Sequence, residues 1–168
     1  MGTVAARQPL PGASIAEVQG LWLDLGRWPA FVDGFGTIAR REGDWPHAGA
    51  RIVWDSLRNG RGRVVEQVTD FEPGVTQIAR VEDPQLRGTQ RVRFSAYDGG
   101  CEIALEFDYK LKAPGLGGRL TDILFVRRAL ADALRRTLRR FAVELEADRA
   151  LQSESQRPQP RSRNEKES

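Results

Sequence analysis

Large apolar residues occupy every second position in the segment C-E-I-A-L-E-F-D-Y-K-L-K, from Cys101 to Lys112. Cys101, Ile103, Leu105, Phe107, Tyr109 and Leu111 share one face; Glu102, Glu106, Asp108, Lys110 and Lys112 share the other. A period of two predicts a strand with one dry and one wet side, roughly 40 Å long at about 3.3 Å per residue. Past the turn-forming run Pro114-Gly115-Leu116-Gly117-Gly118 the spacing becomes helical, with Leu120, Ile123, Leu124, Leu130, Leu134, Leu138, Phe141 and Leu145 forming one stripe. A long strand therefore hands the chain to a long helix. The helix has to lay its stripe against a sheet face, and the face built by Ile103, Leu105 and Phe107 is the natural partner.

Upstream, Ser14 and Glu17 form a capping-box pattern ahead of Ile15, Val18, Leu21, Trp22 and Leu25, which predicts a short amphipathic helix ending at Gly26. Pro29 opens a second short helix that stops at Gly34, and one strand, Thr3 to Leu10, precedes both. Between Phe35 and Lys112 the turn formers fall at Gly43 to Gly49, Asn59-Gly60, Pro73-Gly74, Pro84 and Gly99-Gly100. They cut the span into six strand-length pieces, read as consecutive antiparallel hairpins. Alternation sets Val92, Phe94 and Ala96 inward on one strand, and Val64, Glu66 and Val68 inward on another. From Arg149 the sequence is polar apart from Leu151, so the reading is one domain over 1–148 and a disordered polar tail over 149–168.

That order, a strand, two small helices, six antiparallel strands and a long helix, is the α+β helix-grip layout, and particular residues carry a likeness as well. The run E-V-Q-G-L-W-L-D-L-G-R-W-P-A-F-V, Glu17 to Val32, resembles the opening of the START-like (SRPBCC) superfamily, particularly its polyketide cyclase/dehydrase and coenzyme Q-binding branches. Val18, Leu21, Asp24, Arg27, Trp28, Pro29 and Phe31 fall on that pattern; Gln19 departs from it, standing where an aromatic residue is common. V-T-D-F-E-P, Val68 to Pro73, and the closing helix are similar too, so the likeness spans roughly residues 3–147. It implies a curved seven-stranded sheet gripping the C-terminal helix, with an apolar cavity between them for a lipid-like, quinone or aromatic ligand. It fixes fold better than activity, because the superfamily holds both enzymes and carriers.

Composition narrows the field further. The chain has 168 residues, 26 basic and 23 acidic, for a formal net charge of +3. That mild excess is too small to imply DNA binding. One His and one Cys leave nothing from which to build a metal site, and no cofactor motif is present: the Gly115 to Gly118 turn lacks both phosphate-loop spacings. With no disulfide partner for Cys101 and no signal-peptide or membrane-span run, the expected location is the cytoplasm. The helix from Arg119 to Val143 carries seven Arg against two acids, Asp122 and Asp132. Arg128, Arg135 and Arg139 form a ridge that solvates the surface or, alternatively, contacts an anionic membrane or ribosome, and Arg127 lies next to the apolar stripe.

The expected cavity wall is Trp28, Phe31, Trp54, Phe94, Leu105, Phe107 and Tyr109 from the sheet side, with Leu120, Leu124 and Ala131 from the helix. Its candidate proton-transfer groups are Tyr109, Glu66 and His47, and Gln77 is a further inward polar residue. None of these forms an evident acid/base pair. The reading therefore favours a binding protein, with a cyclase or dehydratase acting on an aromatic substrate as the alternative and a regulatory protein using the basic helix face as another.

Overall fold

The computed structural model describes residues 1–112 and 119–155, without the side chains of 119–123. Its elements are β1 (Gly2–Pro11), α1 (Ile15–Leu23), a 3-10 turn (Leu25–Arg27), α2 (Trp28–Phe31), β2 (Phe35–Glu42), β3 (Arg51–Ser56), β4 (Arg63–Glu72), β5 (Thr76–Glu82), β6 (Leu86–Tyr97), β7 (Gly100–Leu111) and α3 (Arg119–Ser155). All seven strands form one antiparallel sheet in the order β1-β7-β6-β5-β4-β3-β2, an α+β helix-grip fold. The turn expected at 114–118 lies outside the described residues.

Local chemistry explains the opening elements. Ser14 accepts from the Glu17 backbone N–H while Glu17 reaches back to the Ser14 N–H at 2.8 Å, the reciprocal cap expected from the sequence. Asp24 ends α1 and caps the 3-10 turn by accepting from Gly26 N–H at 3.0 Å. Gln19, the residue that broke the family pattern, accepts from Gly74 N–H at 2.8 Å and so ties α1 to the β4–β5 turn.

Strand alternation decides the core. Val64, Glu66 and Val68 of β4 and the odd-numbered residues from Cys101 to Tyr109 of β7 are buried, all on the concave face. Ala96 is exposed, however, near the outer end of the β6–β7 hairpin. From the other side, Leu138, Phe141 and Leu145 of α3 are buried, whereas Leu130 and Leu134 are only half-buried and Leu124 and Phe125 are exposed. The helix is thus packed tightly over its C-terminal half alone. There Phe141 meets Phe31 edge-on at 5.1 Å between centroids and Trp22 at 6.1 Å.

Two reciprocal ion-pair sets fix how the segment around α2 lies along α3. Arg27 donates to Asp148 at 3.1 Å and to Glu144 at 2.7 Å, and Asp33 accepts from Arg136 and Arg140. Each set joins one residue flanking α2, Arg27 before it and Asp33 after it, to two α3 residues four apart, which share a face. Two further helix arginines, Arg136 and Arg140, outside the ridge of Arg128, Arg135 and Arg139, therefore have partners within the fold.

The helix continues through Ser155, so the boundary expected at Arg149 falls inside it. Arg149 donates to the backbone carbonyls of Pro11 at 3.1 Å and Gly12 at 2.8 Å. A helix already nucleated gains one backbone bond for each residue it adds, and this offsets much of the ordering cost that composition alone would set. Residues 156–168 lie outside the described residues.

Gly88 faces inward on β6, directly opposite Tyr109, and a Cβ there would stand 2.7 Å from Phe107 Cε2 and closer still to the Asp108 carbonyl oxygen. We expect Gly88→Ala to destabilise the fold by about 1–3 kcal/mol through this overpacking. Urea denaturation checks it. An unchanged midpoint would mean that β6 and β7 separate more easily than their register implies.

Candidate functional site

The space that α3 leaves open is a cavity of about 480 Å³ between its N-terminal half and the sheet. Trp54 of β3, Glu66 of β4, Leu86 and Gln90 of β6, and Leu105 and Phe107 of β7 line the sheet side. Trp22 and Trp28 come from α1 and α2, and Val126, Ala129, Leu130, Ala133, Leu134 and Thr137 from α3. The two alanines, four residues apart on the same helix face, leave room that larger residues would fill. Phe125, Asn59 and Gly60 also line the cavity and are exposed, marking its open side.

The tryptophan ring nitrogens have acceptors. Trp28 donates to the Trp22 carbonyl at 2.9 Å, Trp22 to Gln77 Oε1 at 3.4 Å, and Trp54 to Glu66 Oε1 at 2.9 Å. Glu66 is 7% exposed and sits in register between Ile52 and Val81, so apolar side chains flank it on both neighbouring strands. Burial pushes its pKa up, outweighing the opposing effects of the Trp54 hydrogen bond and the Arg61 charge. Glu66 is therefore a carboxylic acid that the fold favours in its neutral form.

The other charged residues of the lining are paired off. Arg61 Nε donates to buried Asp83 at 2.7 Å, and Asp83 also accepts from the Gln85 and Leu86 backbone N–H groups. The Arg61 guanidinium carbon lies 6.0 Å from the Phe107 ring centroid. At the other edge Asp33 takes two hydrogen bonds from Arg136, at 3.0 and 2.9 Å, and one from Arg140 at 3.1 Å. The Arg136 hydrogen bond, more than any other influence, holds the Asp33 pKa below the usual carboxylate range. Thr137 Oγ1 accepts from the Asp33 backbone N–H, so the same loop is latched twice to α3.

Of the residues expected in the wall, Trp28, Trp54, Leu105 and Phe107 line the cavity, as does the candidate acid Glu66. Phe31 and Phe94 are buried in the core instead, outside the lining. Tyr109 is also buried off the cavity, with its hydroxyl beside Gly2 and no hydrogen-bond partner among the described residues. Leu124 is exposed: it lies two residues from Val126, about 200° around the helix, when Val126 faces the cavity. Ala131 is half-buried against the core, and the side chain of Leu120 lies outside the described residues.

His47 is exposed, 3.1 Å from Asp44, and packs its ring edge-on against Phe71 away from the lining. Cys101 is fully buried, which pushes its thiol pKa up, so it is a core residue. Arg127, Arg128, Arg135 and Arg139 are off the cavity, with Arg135 paired to Asp132. Among the described residues no cluster of His, Cys, Asp or Glu is placed to hold a metal, and no helix is long and apolar enough to cross a membrane.

A family model described as polyketide cyclase / dehydrase and lipid transport matches residues 1–146. Solved structures share the fold. The protein TTHA0849 from Thermus thermophilus superposes with a TM-score of 0.69 at 20% identity, covering 88% of this chain and 99% of its own. The di-domain ARO/CYC StfQ from the steffimycin biosynthetic pathway gives 0.67 at 16% identity, over 88% of this chain and 52% of its own. A START superfamily protein from Mycobacterium smegmatis gives 0.67 at 12% identity, over 86% and 97%. No curated protein sequence matches.

Glu66 supplies a pH test. The folded chain keeps its proton to higher pH than the unfolded chain, whose carboxyl titrates near its ordinary value of 4.5. Stability from this residue is therefore complete below that value and is lost as pH rises toward the raised one. Relative to Glu66→Gln, the wild type should lose stability above about pH 4.5, by at most about 1.4 kcal/mol per pH unit. Urea midpoints from pH 4 to 8 measure the difference, and parallel curves would mean that Glu66 ionises freely in the fold.

Proposed function

The chain belongs to the polyketide cyclase / dehydrase and lipid transport family, and from that premise we propose that it binds a hydrophobic small molecule, a lipid, a quinone or an aromatic polyketide-like compound, in the cavity between sheet and α3. The observation that carries this reading is the cavity itself. About 480 Å³ bounded by three tryptophans, Phe107 and aliphatic side chains falls within the range of small-molecule sites, which are mostly apolar with a few placed polar groups. The charges of the lining are largely internally paired, Arg61 with Asp83 and Arg136 with Asp33, although the buried Arg61 Nη2 has no hydrogen-bond partner among the described residues.

The alternative, a cyclase or dehydratase working by acid/base catalysis, is favoured by one feature, the acid Glu66 in the wall. Such chemistry needs a proton delivered at one atom and removed at another. Among the described lining residues the other carboxylates, Asp83 and Asp33, are held by arginines. An acid without a matching base supports binding as the leading reading.

Ala133 provides the test, since a larger side chain there would enter the cavity rather than the packed core. Ala133→Phe should abolish binding of a neutral apolar fluorescent probe such as N-phenyl-1-naphthylamine while leaving the melting temperature unchanged or raised. Native mass spectrometry of the wild type, with organic extraction, should show a retained apolar ligand that the variant lacks. Equal probe binding and equal ligand retention in both proteins would remove the cavity as the site.

A further inference from the structure

Glu66 presents a polar group to an apolar cavity without spending all of its hydrogen-bonding capacity. Its Oε1 accepts from Trp54 at 2.9 Å, and no other hydrogen bond to the carboxyl is made by the described residues. The side chain is nine-tenths buried yet contributes to the cavity lining, so the carboxyl meets whatever fills that space. Its cross-strand neighbours Ile52 and Val81 offer it nothing.

The charged groups around the cavity do not neutralise it. Arg61, from the β3–β4 loop, is bonded to Asp83 of the β5–β6 turn; Arg136 of α3 is bonded to Asp33. Each of these cations already has its anion. Gln90 of β6 is uncharged, and Trp54, which bonds to the carboxyl, donates through a ring N–H. In its protonated form an acid in that setting can complete its bonding by donating its proton to an acceptor that enters the cavity.

We propose that Glu66 acts as a hydrogen-bond donor to the ligand, and that the cavity therefore selects an apolar molecule carrying a carbonyl-type oxygen over the matching hydrocarbon. The inference rests on the cavity being the binding site and adds the chemical class of what it takes. A ketone, quinone or ester oxygen matches a single neutral donor. Because donation requires the proton, affinity for such a ligand falls as Glu66 ionises with rising pH, and the indirect effect of Trp54 donating to the same carboxyl is constant across ligands.

The experiment uses a near-isosteric pair, 2-acetylnaphthalene and 2-ethylnaphthalene, titrated into the full chain and followed by the emission of the cavity tryptophans Trp22, Trp28 and Trp54. The measured quantity is the ratio of the two association constants, which cancels their shared apolar contribution. One neutral hydrogen bond implies that this ratio drops about three- to tenfold from wild type to Glu66→Leu. In the wild type the ratio should also decline as pH is raised and the carboxyl ionises. Glu66→Gln, whose amide can still accept from Trp54 and donate to the ligand, should keep a high ratio that no longer varies with pH. If Glu66→Leu does not fold, the pH dependence of the wild type against Glu66→Gln decides alone. A ratio that is the same in all three proteins and flat with pH overturns the donor while leaving the cavity as the site. Failure of both probes to bind wild type would overturn the binding reading and this inference with it.

Discussion

Phe141, held between Phe31 and Trp22, is the contact on which the architecture of the site depends. An amphipathic helix laid on a curved sheet would ordinarily bury its stripe along the whole length. Here the aromatic contact and the neighbouring Leu138 and Leu145 pin the C-terminal half of α3 to the core. The N-terminal half then extends over the sheet with Ala133 facing the cavity and exposed Ala129 at its open side, and side chains that small cannot close the gap. The cavity is thus a consequence of packing one end of a long helix with large rings and lining the other with methyl groups. Burying each aromatic side chain stabilises the closed end by roughly 1.5–3 kcal/mol. The partly exposed ion pairs of Arg27 and Asp33 contribute less, about 0–1 kcal/mol each. Packing holds the helix down, and the ion pairs on either side of α2 determine which way along it that segment lies.

Those ion pairs also shape the chemistry available to a ligand. Among the described residues, every charged side chain that reaches the lining, Arg61, Asp83, Asp33 and Arg136, arrives already bonded to its opposite, apart from Glu66. Opposite charges at such distances largely cancel beyond their own neighbourhood, so the wall offers little net field to attract an ion. Burial then acts on Glu66 with nothing strong enough to offset it. The result is a largely apolar space with one carboxyl in its sheet wall whose neutral form burial favours. One of the pairings that leaves it so, Asp33 with Arg136, joins residues about a hundred positions apart in sequence.

Strand alternation made the concave face of β7 legible, placing Leu105 and Phe107 inward from a period of two alone, whereas the adjacent Val64 and Val65 of β4 leave its parity, and with it Glu66, open in the sequence. Parity says which face a side chain occupies and nothing about where along the strand the cavity begins and ends. Phe94 and Tyr109 are inward-facing, as expected, yet both lie off the cavity. The same gap explains Leu124, since a stripe of large apolar residues identifies a helix but the facing stripe runs through Val126 and Leu130. Asp33 with Arg136 could not be foreseen locally, because each is ordinary in its own segment and only the docking of α2 on α3 joins them. The end of α3 was misjudged for a related reason: a polar composition forecasts no burial, while helix propagation and the Arg149 bonds to Pro11 and Gly12 require none.

What separates a carrier from a cyclase on this fold is the supply of a base. A lone neutral acid can polarise a carbonyl, but cyclisation or loss of water also needs a proton taken from carbon. Glu66 could serve only after ionising, the state its surroundings disfavour. Asp33, with three arginine hydrogen bonds and its pKa drawn down, is a weak base as well as a latched one. Freeing it would mean undoing the contact that holds the loop before β2 to α3, so proton abstraction and an intact cavity edge compete for the same carboxylate. Binding makes no such demand. The arrangement is internally consistent for a protein that recognises its ligand by shape and one hydrogen bond, and becomes strained as soon as a second proton transfer is asked of it.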